Sequence, residues 1–227
     1  DEYGLLVCGL LERAGVGPAG LAGVALCSVV PQLTQTFDGL CNAYLGQPAY
    51  VVDANAALGI RLLVDRPQEV GTDRLLNCIA ARHLLGGPAC IVDFGTATKF
   101  DALSAQGDFI GGAIAPGLGI AAEALSSRAS KLYRVALQRP AQVIGRNTVE
   151  AMQAGIFLGY LGLVEGLIER FRQVLGPQMR VIATGGLAPV IAPEIGAIDR
   201  IEPGLTLDGL RLVWQQNRSP ARPAAVA

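Results

Sequence analysis

Three short stretches of this chain combine residue types and spacing that can do chemistry. Asp93-Phe94-Gly95-Thr96-Ala97-Thr98 follows the apolar run Ala89 to Val92, and Thr184-Gly185-Gly186 follows Val181 to Ala183. A glycine turn behind a buried strand can aim backbone N–H groups at phosphate oxygens, with threonine hydroxyls as added donors. Gly95 lets the backbone bend or approach a ligand closely, and Asp93 can hold a cation or its water shell. The same residues also read as an ordinary hairpin whose Asp and Thr satisfy local backbone groups. The third stretch, Gly71-Thr72-Asp73-Arg74, opens an apolar helix. There Asp73 can act as a general base and Arg74 as an anion clamp. Equally, Asp73 is an acid in a first helical turn, where the helix dipole favours it.

These stretches need elements to position them. Residues 2 to 14 have the spacing of an amphipathic helix closed by Gly15. Val24 to Val30 reads as a buried strand ended by Pro31, Gln32 to Leu45 as a second helix, and Ala49 to Val52 as a short strand ending at Asp53. That α-β-α-β opening predicts a layered α/β fold. Leu58 to Val64 reads as a further extended piece, and Leu75 to Leu85 as a helix. After Gly86-Gly87-Pro88 come the strand, turn and strand around Asp93. A Gly-rich strand follows from Phe109 to Gly117, then a helix over about 118–129. Thr148 is the expected N-cap of a long helix to Leu175. Gly155, Gly159, Gly162 and Gly166 recur along it, a spacing that favours close helix packing. Ile198 to Ile201 reads as a strand and Leu205 to Trp214 as a last helix. The expected division is a first domain at 1–88, a second at 89–217 and a disordered tail at 218–227, which is rich in Pro and Ala.

Composition narrows the function classes. The chain has 227 residues, 51% hydrophobic and 16% charged, with net charge −1. That is enough apolar material for a sizeable core. The balance offers nothing to nucleic acid or to a membrane surface. No apolar run reaches the roughly 18 residues of a membrane span. Cys8, Cys27, Cys41, Cys78 and Cys90 are scattered in apolar contexts and read as free thiols in a reducing, cytoplasmic setting. With one histidine and no C-x-x-C pair, a zinc site is not expected. His83 receives no role, and Asp101 follows the hairpin strand, where it can reach the same cleft or equally be a solvated acid. Only Lys99 and Lys131 are lysines among 18 basic residues.

Taken in order, Gly71-Thr72-Asp73-Arg74, Asp93-Phe94-Gly95-Thr96-Ala97-Thr98, Gly111-Gly112-x-Ile-x-Pro-Gly117 and Thr184-Gly185-Gly186 resemble the type III pantothenate kinases. Ser28-Val29-Val30-Pro31 and Leu205-Thr206-Leu207-x-Gly209-Leu210 resemble the same family. The resemblance implies an α/β fold of the acetate and sugar kinase, heat-shock ATPase and actin superfamily. That fold has two ribonuclease-H-like domains around a cleft, here with the first lacking its N-terminal strands. It implies ATP-dependent phosphorylation of pantothenate, with Mg2+ and a monovalent cation (K+ or NH4+). Asp73 would be the proton acceptor, and Gly71, Thr72, Arg74 and Thr148 would bind pantothenate. Gly95, Thr96, Thr98, Gly185 and Gly186 would bind ATP, and Asp93 would ligate the monovalent cation. The partners implied are pantothenate, ATP and a second copy of the chain in a homodimer.

Three departures from the family pattern bear on this. Family members open with a strand and an Asp-x-Gly-Asn-Thr turn that supplies magnesium and phosphate contacts. This sequence starts at Asp1, about where the first helix should, so a shortened chain of weak or no activity as written is expected. Lys99 stands where threonine is usual, and is expected to face solvent or, as the alternative, to serve as a phosphate cation. Val64 stands where a tyrosine is common, nine residues before Asp73. Two other functions fit the same residues: a degenerate pantothenate-binding or regulatory homologue, and a phosphohydrolase of the same superfamily.

Overall fold

The computed structural model describes residues 2–28, 30–53, 56–128 and 134–217. The tail expected at 218–227 lies outside them. The helices are α1 (Glu2–Arg13), α2 (Pro31–Leu45), α3 (Thr72–Leu85), α4 (Leu118–Arg128), α5 (Thr148–Leu175), α6 (Ala188–Ile191) and α7 (Leu205–Asn217). The strands are β1 (Val24–Leu26), β2 (Ala49–Val51), β3 (Ala89–Phe94), β4 (Ala97–Leu103), β5 (Phe109–Pro116), β6 (Arg180–Thr184) and β7 (Arg200–Ile201). Two compact units result. One comprises Asp1–Gly59, Arg66–Ala80 and Thr206–Ala227, the other Ile60–Asp65 and Ala81–Leu205.

In the first unit β1 and β2 pair in parallel, Val24 opposite Ala49. The connection between parallel strands needs a crossover element, and α2 supplies it. Pro31 takes the first helical position, where its missing N–H is not needed, and Gly46 closes the helix in the left-handed conformation at φ 69°. Leu40, Cys41 and Leu45 form a small core with Val7, Leu11, Val24 and Phe37. Helix α7 packs hard on α3: a Cβ at Gly209 would stand 2.1 Å from the Leu76 carbonyl oxygen. Thr206 Oγ1 donates to Asn77 Oδ1 at 2.6 Å. The Trp214 ring fills the space a Cβ on Gly23 would need, which fastens the last helix to the segment before β1.

The second unit is built on a five-stranded sheet of order β5-β4-β3-β6-β7. β3, β4 and β5 form an antiparallel meander, and β6 and β7 run parallel to β3. This mixed sheet is the ribonuclease-H-like arrangement. Val92, Phe94, Phe100, Val181 and Ala183 face a core shared with Met152, Ile156, Phe157, Tyr160, Val164 and Ile168 of α5. The spacing of those α5 residues is the i, i+4 stripe that a helix buries against a sheet.

Several expectations change. Leu58 to Val64 is not a strand: Leu62 alone makes an isolated bridge, to Phe109. The N-cap of α5 is Asn147, whose side chain accepts from the Glu150 N–H at 3.0 Å, and Thr148 is the first helical residue. Although no uninterrupted apolar run is that long, an 18-residue window of α5 has mean hydropathy 1.5, long and apolar enough to cross a membrane by length and composition. Its apolar stripe is occupied by the sheet instead. Three of the four glycines on α5 meet no neighbour among the described residues: a Cβ at Gly155, Gly159 or Gly162 would have nothing within 4 Å, while one at Gly166 would stand 3.1 Å from the Arg170 guanidinium.

Candidate functional site

At one end of the five-stranded sheet three glycine turns meet. Gly95 and Thr96 join β3 to β4. Gly117 lies between β5 and α4, and its N–H donates to the Thr96 carbonyl at 3.1 Å. A Cβ on Gly117 would fall 2.3 Å from that oxygen, so only glycine permits the approach. Gly185 follows β6 with φ +93°, and a Cβ there would stand 2.5 Å from Asp93 Oδ1 and 2.7 Å from the Phe94 carbonyl oxygen. The Leu187 N–H also donates to Phe94 O, at 3.2 Å. The two turns that the sequence singled out separately are therefore one structure, placed together because β3 and β6 are parallel neighbours. Ligands of parallel sheets collect at such carboxyl ends.

These turns border a cavity of about 1190 Å³ lined by Phe94, Gly95, Thr96, Gly186 and Leu187, by Glu123 and other α4 residues, and by Arg134 to Leu137. Its size and mixed lining suit a nucleotide-sized ligand. Arg134 and the α4 residues were missed in the sequence. No motif marks them: the α4 residues reach the cavity through the placement of that helix, and Arg134 lies in the irregular stretch that precedes α5. Thr98 does not line the cavity. Its side chain is fully buried, shares a 2.6 Å hydrogen bond with the Tyr160 hydroxyl and donates to Pro116 O at 3.3 Å. Burial raises the Tyr160 pKa, the Thr98 bond opposes that rise and the Asp93 charge adds to it, so the phenol stays protonated.

Asp93 is half-buried and faces Lys99 directly across the β3–β4 ladder. The Lys99 ammonium lies 3.2 Å from Asp93 Oδ2, with side-chain exposures of 23% and 15%. Lys99 is therefore turned to the carboxylate, and the expectation that it faces solvent is corrected. The other carboxylate oxygen rests against Gly185, as its distance to a Cβ there shows. A free monovalent cation does not fit this carboxylate. One oxygen already holds an ammonium, and its repulsion of a second cation about 4 Å away, about 4 kcal/mol at an effective dielectric constant near 20, cancels most of the pull of the carboxylate. Magnesium is a different case. No three His, Cys, Asp or Glu side chains gather among the described residues.

In the first unit, Thr72 begins α3, and the Gly71 carbonyl accepts from the Arg74 N–H at 3.0 Å. Asp73 folds back over the helix start, since a Cβ on Gly71 would lie 2.5 Å from its Oδ1. Gly71, Thr72, Asp73 and Arg74 are all half-buried. Cys27, just past β1, is close enough that the Asp73 charge adds to the burial that raises its thiol pKa. Asp73 thus stands at a helix N-terminus beside the carboxyl end of a parallel strand. Thr148 is exposed and borders a separate hollow of about 520 Å³ with Leu125, Arg146, Asn147 and Met152.

A sequence model described as type III pantothenate kinase matches residues 1–170. Proteins named type III pantothenate kinase in Moorella thermoacetica and in Roseiflexus sp. (strain RS-1) are similar to this chain. They are 49% and 50% identical, each over 96% of it, and are themselves covered to 85% and 86%. A solved Campylobacter jejuni structure, described as a Baf family transcriptional activator, matches with a TM-score of 0.59 and 18% identity. That match covers 86% of this chain and 83% of its own. At that identity the likeness concerns the fold alone.

Proposed function

Because this chain belongs to the type III pantothenate kinase family, we propose that it phosphorylates pantothenate. It transfers the γ-phosphate of ATP to the primary hydroxyl of pantothenate, giving ADP and 4'-phosphopantothenate, the first step of coenzyme A biosynthesis. The observation that carries this reading is the near-full-length similarity to kinases of that name. The catalytic and phosphate-turn motifs all lie within the matched length.

Asp73 takes the hydroxyl proton as that oxygen attacks the γ-phosphorus and the bond to the ADP oxygen breaks. Arg74 gives the pantothenate carboxylate a planar two-donor partner, with Gly71 and Thr72 completing the loop. Thr148 is a further pantothenate contact. Gly95, Thr96, Gly185 and Gly186 present backbone and hydroxyl donors to the nucleotide phosphates, while Thr98 braces the hairpin through Tyr160. Bound Mg2+ supplies charge neutralisation along those phosphates. The active form is a homodimer, and the five free thiols fit a cytoplasmic enzyme.

A coupled ADP-release assay on the full gene product with ATP and Mg2+ tests this. ADP release that depends on pantothenate is expected, and sedimentation equilibrium of the same sample should give the mass of two chains. Turnover that ignores pantothenate, or no turnover, rejects the reading.

A further inference from the structure

We propose that Lys99 is a tethered cation that takes the place of a dissolved monovalent cation at Asp93, so that nucleotide binding needs neither potassium nor ammonium. The inference deepens the kinase reading and rests on it for the identity of the nucleotide. It starts from register: Lys99 is the direct ladder partner of Asp93, and so is delivered to that carboxylate by the hairpin itself. The 3.2 Å contact and the low exposure of both side chains make the pair part of the sheet rather than a surface ion pair. Flanking residues hold it there, since Val92, Phe94, Thr98 and Phe100 are all fully buried.

The place matters as much as the contact. Asp93 immediately precedes Phe94, Gly95 and Thr96, which line the cavity, and its other oxygen abuts Gly185 of the second turn. A positive charge on Asp93 therefore sits at the joint of both phosphate turns. A lysine ammonium offers three donors on a compact centre, the form closest to a free ammonium ion, whereas a guanidinium is a planar fork. Tethering also replaces capture from solution by an intramolecular contact of high effective concentration. The chain otherwise meets its need for positive charge almost wholly with arginine, Lys131 being the only other lysine.

The test compares the full-length protein with Lys99→Thr in tetramethylammonium chloride and in potassium chloride at equal ionic strength. Calorimetry reads ATP affinity, and a thermal melt reads stability. The unaltered protein should bind ATP equally in both salts, within about twofold, and melt at the same temperature, because its cation is built in. In tetramethylammonium, Lys99→Thr should bind ATP about tenfold or more weakly and melt about 5 °C or more lower, with potassium restoring most of both. Lys99→Gln, which keeps most of the unbranched stem and loses the charge, repeats the comparison if the threonine variant does not fold. Potassium-dependent ATP binding by the unaltered protein overturns the proposal without any variant, and so does a variant indifferent to potassium. Pantothenate-dependent ADP release is followed in parallel. Its absence, with cation-independent ATP binding, rejects the kinase reading alone, whereas absence of ATP binding in both salts rejects both.

Discussion

Asp73 and Thr98 show how much a side chain's role depends on its surroundings. Both belong to short motifs with oxygen-bearing side chains. Asp73 is half-buried at the start of α3, with an arginine next to it. Thr98 is sealed against Tyr160 and serves the sheet. Asp73→Asn removes the proton acceptor but keeps shape and the helix start. Pantothenate phosphorylation should fall about 10²–10⁴-fold, the usual effect of losing a general base, while ATP affinity stays within about twofold. Single-turnover kinetics with parallel calorimetry checks this, and near-normal turnover would refute the assignment. The sequence made Asp73 legible because Gly-Thr-Asp-Arg is a local pattern. It could not show that Lys99 turns inward, because that orientation follows from ladder register and the burial of its neighbours.

At the level of elements, the site depends on backbone approaching backbone. Gly117 is placed where the start of α4 meets the Gly95–Thr96 turn, and Gly185 where the end of β6 meets β3. Gly117→Ala would drive a methyl into the Thr96 and Gly95 carbonyl oxygens. The turn must then shift, at a cost of about 1–3 kcal/mol typical of overpacking. ATP affinity should drop about tenfold or more with unchanged circular dichroism. An unaltered ATP dissociation constant would show that this turn does not hold the nucleotide. Apolar periodicity revealed α5, but the position of its cap was missed. Asn147 and Thr148 are both good capping residues, and only the Glu150 N–H bond to Asn147 distinguishes them.

For the whole molecule, buried protons tie stability to alkaline pH. Burial, then the nearby Asp101 charge, pushes the Cys90 thiol far up, with Arg172 opposing. Burial, then Asp73, raises Cys27, and burial, then Asp38, raises Cys41. Burial raises Tyr160 as well, against the Thr98 bond. As pH rises the unfolded chain loses these protons first, from about pH 8.5 for thiols and about 10 for the phenol. The unfolded state then binds fewer protons than the folded state, so stability is full below about pH 8 and declines above it. Urea unfolding should show a loss of roughly 2 kcal/mol between pH 8 and pH 10, mostly from Cys90, and Cys90→Ala should flatten the slope. A level profile to pH 10 would contradict that burial.

By itself the sequence determined the family, the α/β class, the order of most elements and the identity of the chemical motifs. All of these are carried by local spacing and local apolar period, which survive without knowledge of distant neighbours. Tertiary structure alone decided that the turns at 93–98 and 184–186 are one feature, that Thr98 is bonded to Tyr160, and that Lys99 closes on Asp93. Each of those is a contact set by strand pairing or sheet order, and a pattern of residue types does not encode which strand will lie beside which.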